Sequence, residues 1–197
     1  MGLKPKSPNG KNTRCLISYG SNLSGDQGSS LDVVETALED LSSKTISIIR
    51  KSGHFRSSAY PKGFGPDFIN GVILCDAGVN NPKEVLNILH EIESALGRVR
   101  GERWAARVID LDLLDYSGQI LPDESTVARW RKLPPDMQVT RTPPELLLPH
   151  PRLQDRAFVL VPLQAVCPDF AHPATGWSVH RMLNALDAKN VADVQPL

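Results

Sequence analysis

No charge of either sign predominates in this chain of 197 residues: 22 Lys and Arg balance 22 Asp and Glu, for a formal net charge of zero. A neutral total supplies no global field to gather nucleic acid or an anionic membrane, so any phosphate chemistry must come from local clustering. No apolar run approaches the length that crosses a bilayer. Residues 1–12 are dominated by Lys, Pro, Gly, Ser and Asn and lack an apolar core, which fits a frayed tail and not a signal peptide. There are three cysteines, Cys15, Cys75 and Cys167, odd in number, far apart and in apolar surroundings. They read as reduced residues of a cytoplasmic protein, not as a disulfide framework or a metal site. Neither a phosphate loop of the G-x-x-x-x-G-K-S/T type nor a kinase glycine loop is present, and there is no internal repeat or low-complexity tract. A bound nucleotide would therefore be held by metal and arginine.

What is present centres on residues 98–112. Arg98, Arg100, Arg103 and Arg107, with Trp104 among them, run into Asp110-Leu111-Asp112. Alternate residues on a strand share a face, so Asp110 and Asp112 point one way while Ile109, Leu111 and Leu113 point toward a core. Two adjacent carboxylates are costly unless a cation lies between them. Mg²⁺ is typically held by one or two carboxylates plus substrate phosphates, and arginines grip phosphate oxygens through two donors. The pattern points to a Mg²⁺-dependent enzyme acting on a nucleoside triphosphate.

The rest of the chain supplies a scaffold. Residues 14–19 read as a buried strand ending in a turn at Gly20-Ser21-Asn22. Residues 29–43 read as a helix capped by Ser29 or Ser30, with Leu31, Val34, Leu38 and Leu41 as its apolar stripe. Residues 45–52 suit a strand, residues 54–67 a loop, and residues 68–76 another strand. Asn81 then caps a helix with Pro82 at its first position. Val85, Leu89, Ile92 and Leu96 form its buried stripe, His90 and Glu93 lie on its other side, and Gly97 stops it. A strand over 108–115 completes a β-α-β-β-α-β order.

That order predicts an α+β fold with a ferredoxin-like core: an antiparallel sheet, both helices on one face and the other face free for a substrate. Residues 13–188 are expected to form a single domain. A surface insertion spans about 121–145 with a short helix at 124–132, a last helix covers 177–186, and residues 189–197 fray.

Blander readings stand beside the sharp one. A D-x-D pair at a strand end is often two solvated carboxylates, and arginines beside it can be a salt-bridge cluster. Trp104 can stack on a neighbouring arginine. His150, between two prolines, can be structural. Asn70 is harder to explain blandly, because an amide amid Phe68, Ile69, Val72 and Ile73 needs partners if buried, and a heterocycle's edge would supply them. A nucleotidyl-transfer palm lacks an obvious third carboxylate on a neighbouring strand. An RNA-binding module of like topology lacks the aromatic pair and the basic surface it would need.

Taken together, several motifs resemble the 6-hydroxymethyl-7,8-dihydropterin pyrophosphokinase family of folate biosynthesis. They are Gly20-Ser21-Asn22-Leu23, Phe68-x-Asn70, the run from Gly97 to Asp112 containing Arg103-Trp104-x-x-Arg107-x-x-Asp110-Leu111-Asp112, Leu148-Pro149-His150-Pro151-Arg152, and Arg156-x-Phe158. The resemblance covers about residues 14–187. It implies pyrophosphate transfer from ATP to the hydroxymethyl group of the pterin, giving AMP. It implies that Asp110 and Asp112 bind two Mg²⁺ ions, and that Arg98 and Arg107 act on the phosphates. It places ATP against His90, Arg100, Arg107, Leu113, His150 and Arg156, and the pterin against Ser57, Tyr60, Phe68, Asn70, Trp104 and Phe158. ATP and the pterin are then the small-molecule partners of a cytoplasmic monomer, with no nucleic acid and no membrane. The sequence departs from the family pattern at Ala105-Ala106, at Ser57-Ser58-Ala59 and at His90.

Overall fold

The computed structural model describes residues 13–59, 65–78, 81–98, 108–134, 137 and 140–197. At its centre lies β4 (Phe68–Asp76), whose FINGVILCD sequence is apolar enough to be covered on both faces. On one side it pairs antiparallel with β1 (Arg14–Ser21), which pairs antiparallel with β5 (Asp110–Tyr116) at the sheet's end. On its other side β4 carries two short strands in succession, β2 (Ser47–Lys51) and β3 (Phe55–Ser57). All of these pairings are antiparallel.

Two helices cover one face. Helix α1 (Ser30–Ser43) begins with a reciprocal cap: Ser29 accepts from the Asp32 amide while Asp32 accepts from the Ser29 amide. It buries Val33, Val34, Ala37, Leu38 and Leu41, whereas Leu31, expected in the stripe, is 40% exposed. Helix α2 (Pro82–Ala95) starts at Asn81, whose side chain accepts from the Glu84 amide, and stops before Gly97, which adopts φ +87°. Their apolar faces meet Ile17, Tyr19, Ile73, Leu111 and Leu113 in one core. Ile17, Ile73 and Leu89 are fully buried there, sites where truncation to Ala costs about 2–5 kcal/mol. The Tyr19 ring lies across Gly71, its partner on β4, where a side chain would collide with it. Its hydroxyl bonds His54 Nδ1 at 3.2 Å, and His54 Nε2 bonds Glu35 on α1 at 2.7 Å.

The opposite face is not wholly free, as the β-α-β-β-α-β order alone suggests. The chain's later part returns to cover it. Residues beyond β5 leave the sheet at Leu121 and rejoin at Leu148 through a two-residue bridge, enclosing α3 (Glu124–Arg131). Then α4 (Ala157–Val166) and α5 (Val179–Asn184) pack Val159, Leu160, Leu163, Val179 and Met182 on Leu16, Val72, Leu74 and Leu114. These apolar residues need a sheet face to leave water, and the one left by α1 and α2 is available. Helix α5 is shorter than the 177–186 expected.

Two further expectations fail at the strand edges. Residues 54–67 are not all loop, because Phe55–Ser57 forms β3. Nor does the chain fray after residue 188: α6 (Ala188–Ala192) leads to β6 (Gln195–Pro196), which pairs with β3. Among the described residues no helix is long and apolar enough to cross a membrane. Cys15, Cys75 and Cys167 are unbridged, the first two buried.

Candidate active site

Sheet register decides which side chains meet. Asp110 pairs with Gly20, Gly20 with Asn70, and Asn70 with Phe55, while Asp112 pairs with Ser18 and Ser18 with Val72. Residues paired across antiparallel strands share a face. Asp110, Asp112 and Asn70 therefore stand on the face that holds Val72 and α4. Gly20 keeps the gap between them open, since a Cβ there would stand 3.3 Å from Asn70 Oδ1 and 3.8 Å from the Phe68 ring.

The two carboxylates are partly exposed, 24% and 30% at their side chains, and each faces a guanidinium. Arg98, just after the Gly97 stop of α2, pairs with Asp110 at 2.8 Å. Arg156, the residue that opens α4, donates from Nη1 to Asp112 Oδ2 at 2.9 Å. Its guanidinium also lies 5.6 Å from the Phe158 ring centroid. Phe158 is 38% exposed in the first turn of α4, and Phe68 is half-buried at the start of β4, against which α4 packs.

His150 sits on the outer edge of β5, where its amide donates to Leu114 O at 2.8 Å. Its Nδ1 accepts from the Arg152 amide at 3.1 Å, and Nε2 lies 4.0 Å from Asp112 Oδ2. Burial pushes its pKa down to about 4, against the pull of Asp112 and with help from Arg156 and Arg152. The ring is thus neutral near pH 7, with its one N–H on Nε2.

Glu93 differs from expectation. It lies not on the outer side of α2 but inward, 4% exposed, where it accepts from the Leu111 amide on the edge of β5 at 2.7 Å and pairs with Arg98. Burial pushes its carboxyl up to about 7, while the Leu111 N–H and Arg98 pull it down. Glu93 thus ties α2, Arg98 and the acidic strand together. The available signal was its spacing, four residues after Leu89 and three before Leu96, at the border of the buried stripe.

Asn70 is 3% exposed; its Nδ2 donates to Ser57 Oγ at 3.0 Å and to Phe68 O at 3.4 Å. Ser57 is itself buried, so its hydroxyl serves Asn70. Leu113 is not brought to the site by its side chain, which is 3% exposed in the core under α1 and α2. Alternation along β5 forces this, since Asp112 takes the other face. His90 is half-buried on α2. Tyr60, Arg100, Trp104 and Arg107 lie outside the described residues.

A cavity of about 440 Å³ at the other end of the sheet is lined by residues such as Arg14, Arg50, Asp115 and Phe170, and by none of the candidate site residues. Among the described residues no three His, Cys, Asp or Glu side chains gather to hold a metal alone. Two carboxylates on one face still suit Mg²⁺, which completes its octahedron with waters and phosphate oxygens.

An antiparallel α+β sheet with two carboxylates on one face, each met by a guanidinium, suits phosphoryl- or pyrophosphoryl-transfer chemistry. The family model described as 7,8-dihydro-6-hydroxymethylpterin-pyrophosphokinase (HPPK) matches residues 16–168. A 2-amino-4-hydroxy-6-hydroxymethyldihydropteridine pyrophosphokinase of Synechocystis sp. is 33% identical over 177 residues, 88% of this chain and 78% of that protein. One from Methylorubrum extorquens is 32% identical over 184 residues, 93% of this chain and 99% of that protein. The crystal structure of wild-type Plasmodium falciparum HPPK-DHPS superposes with a TM-score of 0.60 at 14% identity, over 88% of this chain. That likeness speaks to the fold, and this chain spans 44% of the Plasmodium chain. The chain belongs to the 7,8-dihydro-6-hydroxymethylpterin-pyrophosphokinase family, whose enzymes transfer a pyrophosphoryl group to 6-hydroxymethyl-7,8-dihydropterin in folate synthesis, with ATP as co-substrate.

Proposed function

We propose that this transfer takes place on the second sheet face beside Asp110, Asp112 and Asn70, and that Asp110 and Asp112 hold two Mg²⁺ ions there against the ATP triphosphate. The observation that carries the reading is the row Asp110–Gly20–Asn70, which sets an acid and a buried amide on one face across a glycine gap. Bound Mg²⁺ would neutralise phosphate charge on both the attacking and the leaving side. The hydroxymethyl oxygen of the pterin gives up its proton to solvent and attacks the β-phosphorus of ATP; the bond from that phosphorus to the oxygen bridging it to the α-phosphorus breaks, and AMP leaves with that oxygen.

The chain's own residues position and neutralise. Arg98 and Arg156 hold the two carboxylates in place and, once phosphates arrive, share the charge on their oxygens. His150 presents an N–H toward the same space and stays uncharged, so it donates a hydrogen bond without titrating near neutrality. Asn70, fixed by Ser57, offers its remaining hydrogen-bonding capacity to the pterin edge, with Phe68 and Phe158 for the ring faces. Arg107 and Trp104 belong to the same reading through the family motif, as do Arg100, His90 and Tyr60. The fold reading is a ferredoxin-like core in which β2 and β3 together stand as one interrupted strand, extended by the C-terminal helices within a single domain. The enzyme acts as a cytoplasmic monomer without nucleic-acid or membrane partners.

The deciding experiment follows the nucleotide product. Incubation with ATP, Mg²⁺ and the pterin should release AMP, and omission of the pterin should abolish it. Release of ADP, or of AMP regardless of the pterin, would contradict the reading.

A further inference from the structure

The last ten residues are tied to the pterin side of the site. Strand β6 pairs with β3 at Phe55–Pro196 and Arg56–Gln195, and the Leu197 amide donates to His54 O at 2.9 Å. One residue past β3, the Ser58 amide donates to Asp193 Oδ2 at 2.8 Å and the Ser58 hydroxyl to Asp193 Oδ1 at 2.7 Å. Ser57 is therefore gripped from both sides, by the β6 pairing at Arg56 and by the Asp193 carboxylate at Ser58. The Ser57 hydroxyl in turn accepts from Asn70.

We infer that Asp193 is a positioning residue for the pterin: it fixes Ser58, thereby Ser57, and thereby the direction of the Asn70 amide. The inference rests on the reading of Asn70 as the pterin-edge contact. Both bonds to Asp193 go to a carboxylate, the stronger kind, and two of them set the peptide plane as well as the side chain. A buried amide held by one hydroxyl turns if that hydroxyl moves, and an ångström of misplacement is enough to weaken a specific contact. Asp193 also needs no contact with substrate for this, because it acts through backbone geometry.

The test is a double-mutant cycle on the full chain, with Asp193→Ala, Asn70→Ala and the pair, read as KM for the pterin, KM for ATP and kcat. Asp193→Ala should raise the pterin KM about tenfold and leave the ATP KM and kcat within about twofold. Asp193→Asn can still accept from the Ser58 amide while its own amide meets the Ser58 hydroxyl, so it should restore most of the affinity. In the Asn70→Ala background, Asp193→Ala should add nothing further, since both act on one contact. An unchanged pterin KM in Asp193→Ala, beside a raised one in Asn70→Ala, would overturn the inference and leave the site reading intact. No change with Asn70→Ala would instead overturn the site reading on which it rests. Equal weakening of ATP and pterin would show a merely structural role, as would additive effects in the cycle. Ser58→Ala, which keeps the amide bond and removes one hydroxyl, gives the same readout should Asp193→Ala fold poorly.

Discussion

Arg156 reaches from the start of α4 to Asp112 on β5, Nη1 to Oδ2 at 2.9 Å, and so joins the C-terminal helices to the acidic strand. The two side chains are 27% and 30% exposed. A partly exposed pair of this kind contributes about 0.2–1 kcal/mol to stability. On the proposed reading, its value lies in what the guanidinium does when a triphosphate is near. Arg156→Ala should lower turnover on the order of 10²-fold, the scale for one lost contact to transition-state charge. Thermal melting should move by no more than about 4 °C. A large drop in melting temperature with turnover preserved would make the pair structural.

Asp110→Ala and Asp112→Ala should each abolish turnover while leaving the far-ultraviolet circular dichroism unchanged. Neither carboxylate is fully buried, and Arg98 would keep Glu93 as a partner if Asp110 were removed. The loss should exceed about 10³-fold, which corresponds to about 4 kcal/mol of barrier. Added Mg²⁺ should not restore the rate. Recovery at high Mg²⁺ would mean that the acids tune affinity for a cation held elsewhere.

Glu93 separates two effects that Asp110 cannot. Glu93→Ala removes the acceptor of the Leu111 amide and the buried partner of Arg98, so about 3–5 kcal/mol of stability should be lost. Glu93→Gln keeps an acceptor for that amide and removes the charge, so it should cost less stability yet still lower turnover through a displaced Arg98. Denaturant midpoints and rates for the two variants, measured side by side, test this. Equal destabilisation by both would show that the charge, not the acceptor, carries the stability.

The acidic strand was legible because alternation is local: once 108–115 is a strand, Asp110 and Asp112 must share a face and Leu111 and Leu113 the other. The caps at Ser29 and Asn81 were legible for the same reason, since each is set within four residues. What stayed hidden depends on partners far along the chain. Phe55–Ser57 has glycine before it and proline and glycine after it, and becomes a strand only because β4 offers hydrogen bonds on one edge and residues 195–196 on the other. The apparent fraying end is ordered by that same pairing. Glu93 looked solvent-facing because an ionisable residue at the border of an apolar stripe usually is. Its inward turn depends on Arg98 and the Leu111 amide, which only the assembled sheet brings within reach.

His172 gives a pH dependence away from the acid pair. It is 1% exposed in the turn before α5, where Nδ1 accepts from the Ala174 amide at 3.2 Å. Burial, with Arg131 nearby, pushes its pKa down to about 4, while its own backbone hydrogen bond acts weakly in the other direction. In the unfolded chain the same ring takes up its proton near pH 6.5. Between those values the unfolded state binds more protons, so stability falls with pH from about 6.5 and the loss is complete below about 4. The gap corresponds to on the order of 3 kcal/mol. His150 is depressed in the same direction and adds to the same acid loss, so the share of His172 must be isolated. His172→Asn retains an oxygen for the Ala174 amide and cannot titrate. Its unfolding free energy should therefore fall less between pH 7 and pH 4.5, by about 2 kcal/mol, than that of the unaltered chain. Identical pH slopes for the two proteins would show that the folded His172 takes up its proton as readily as the unfolded one.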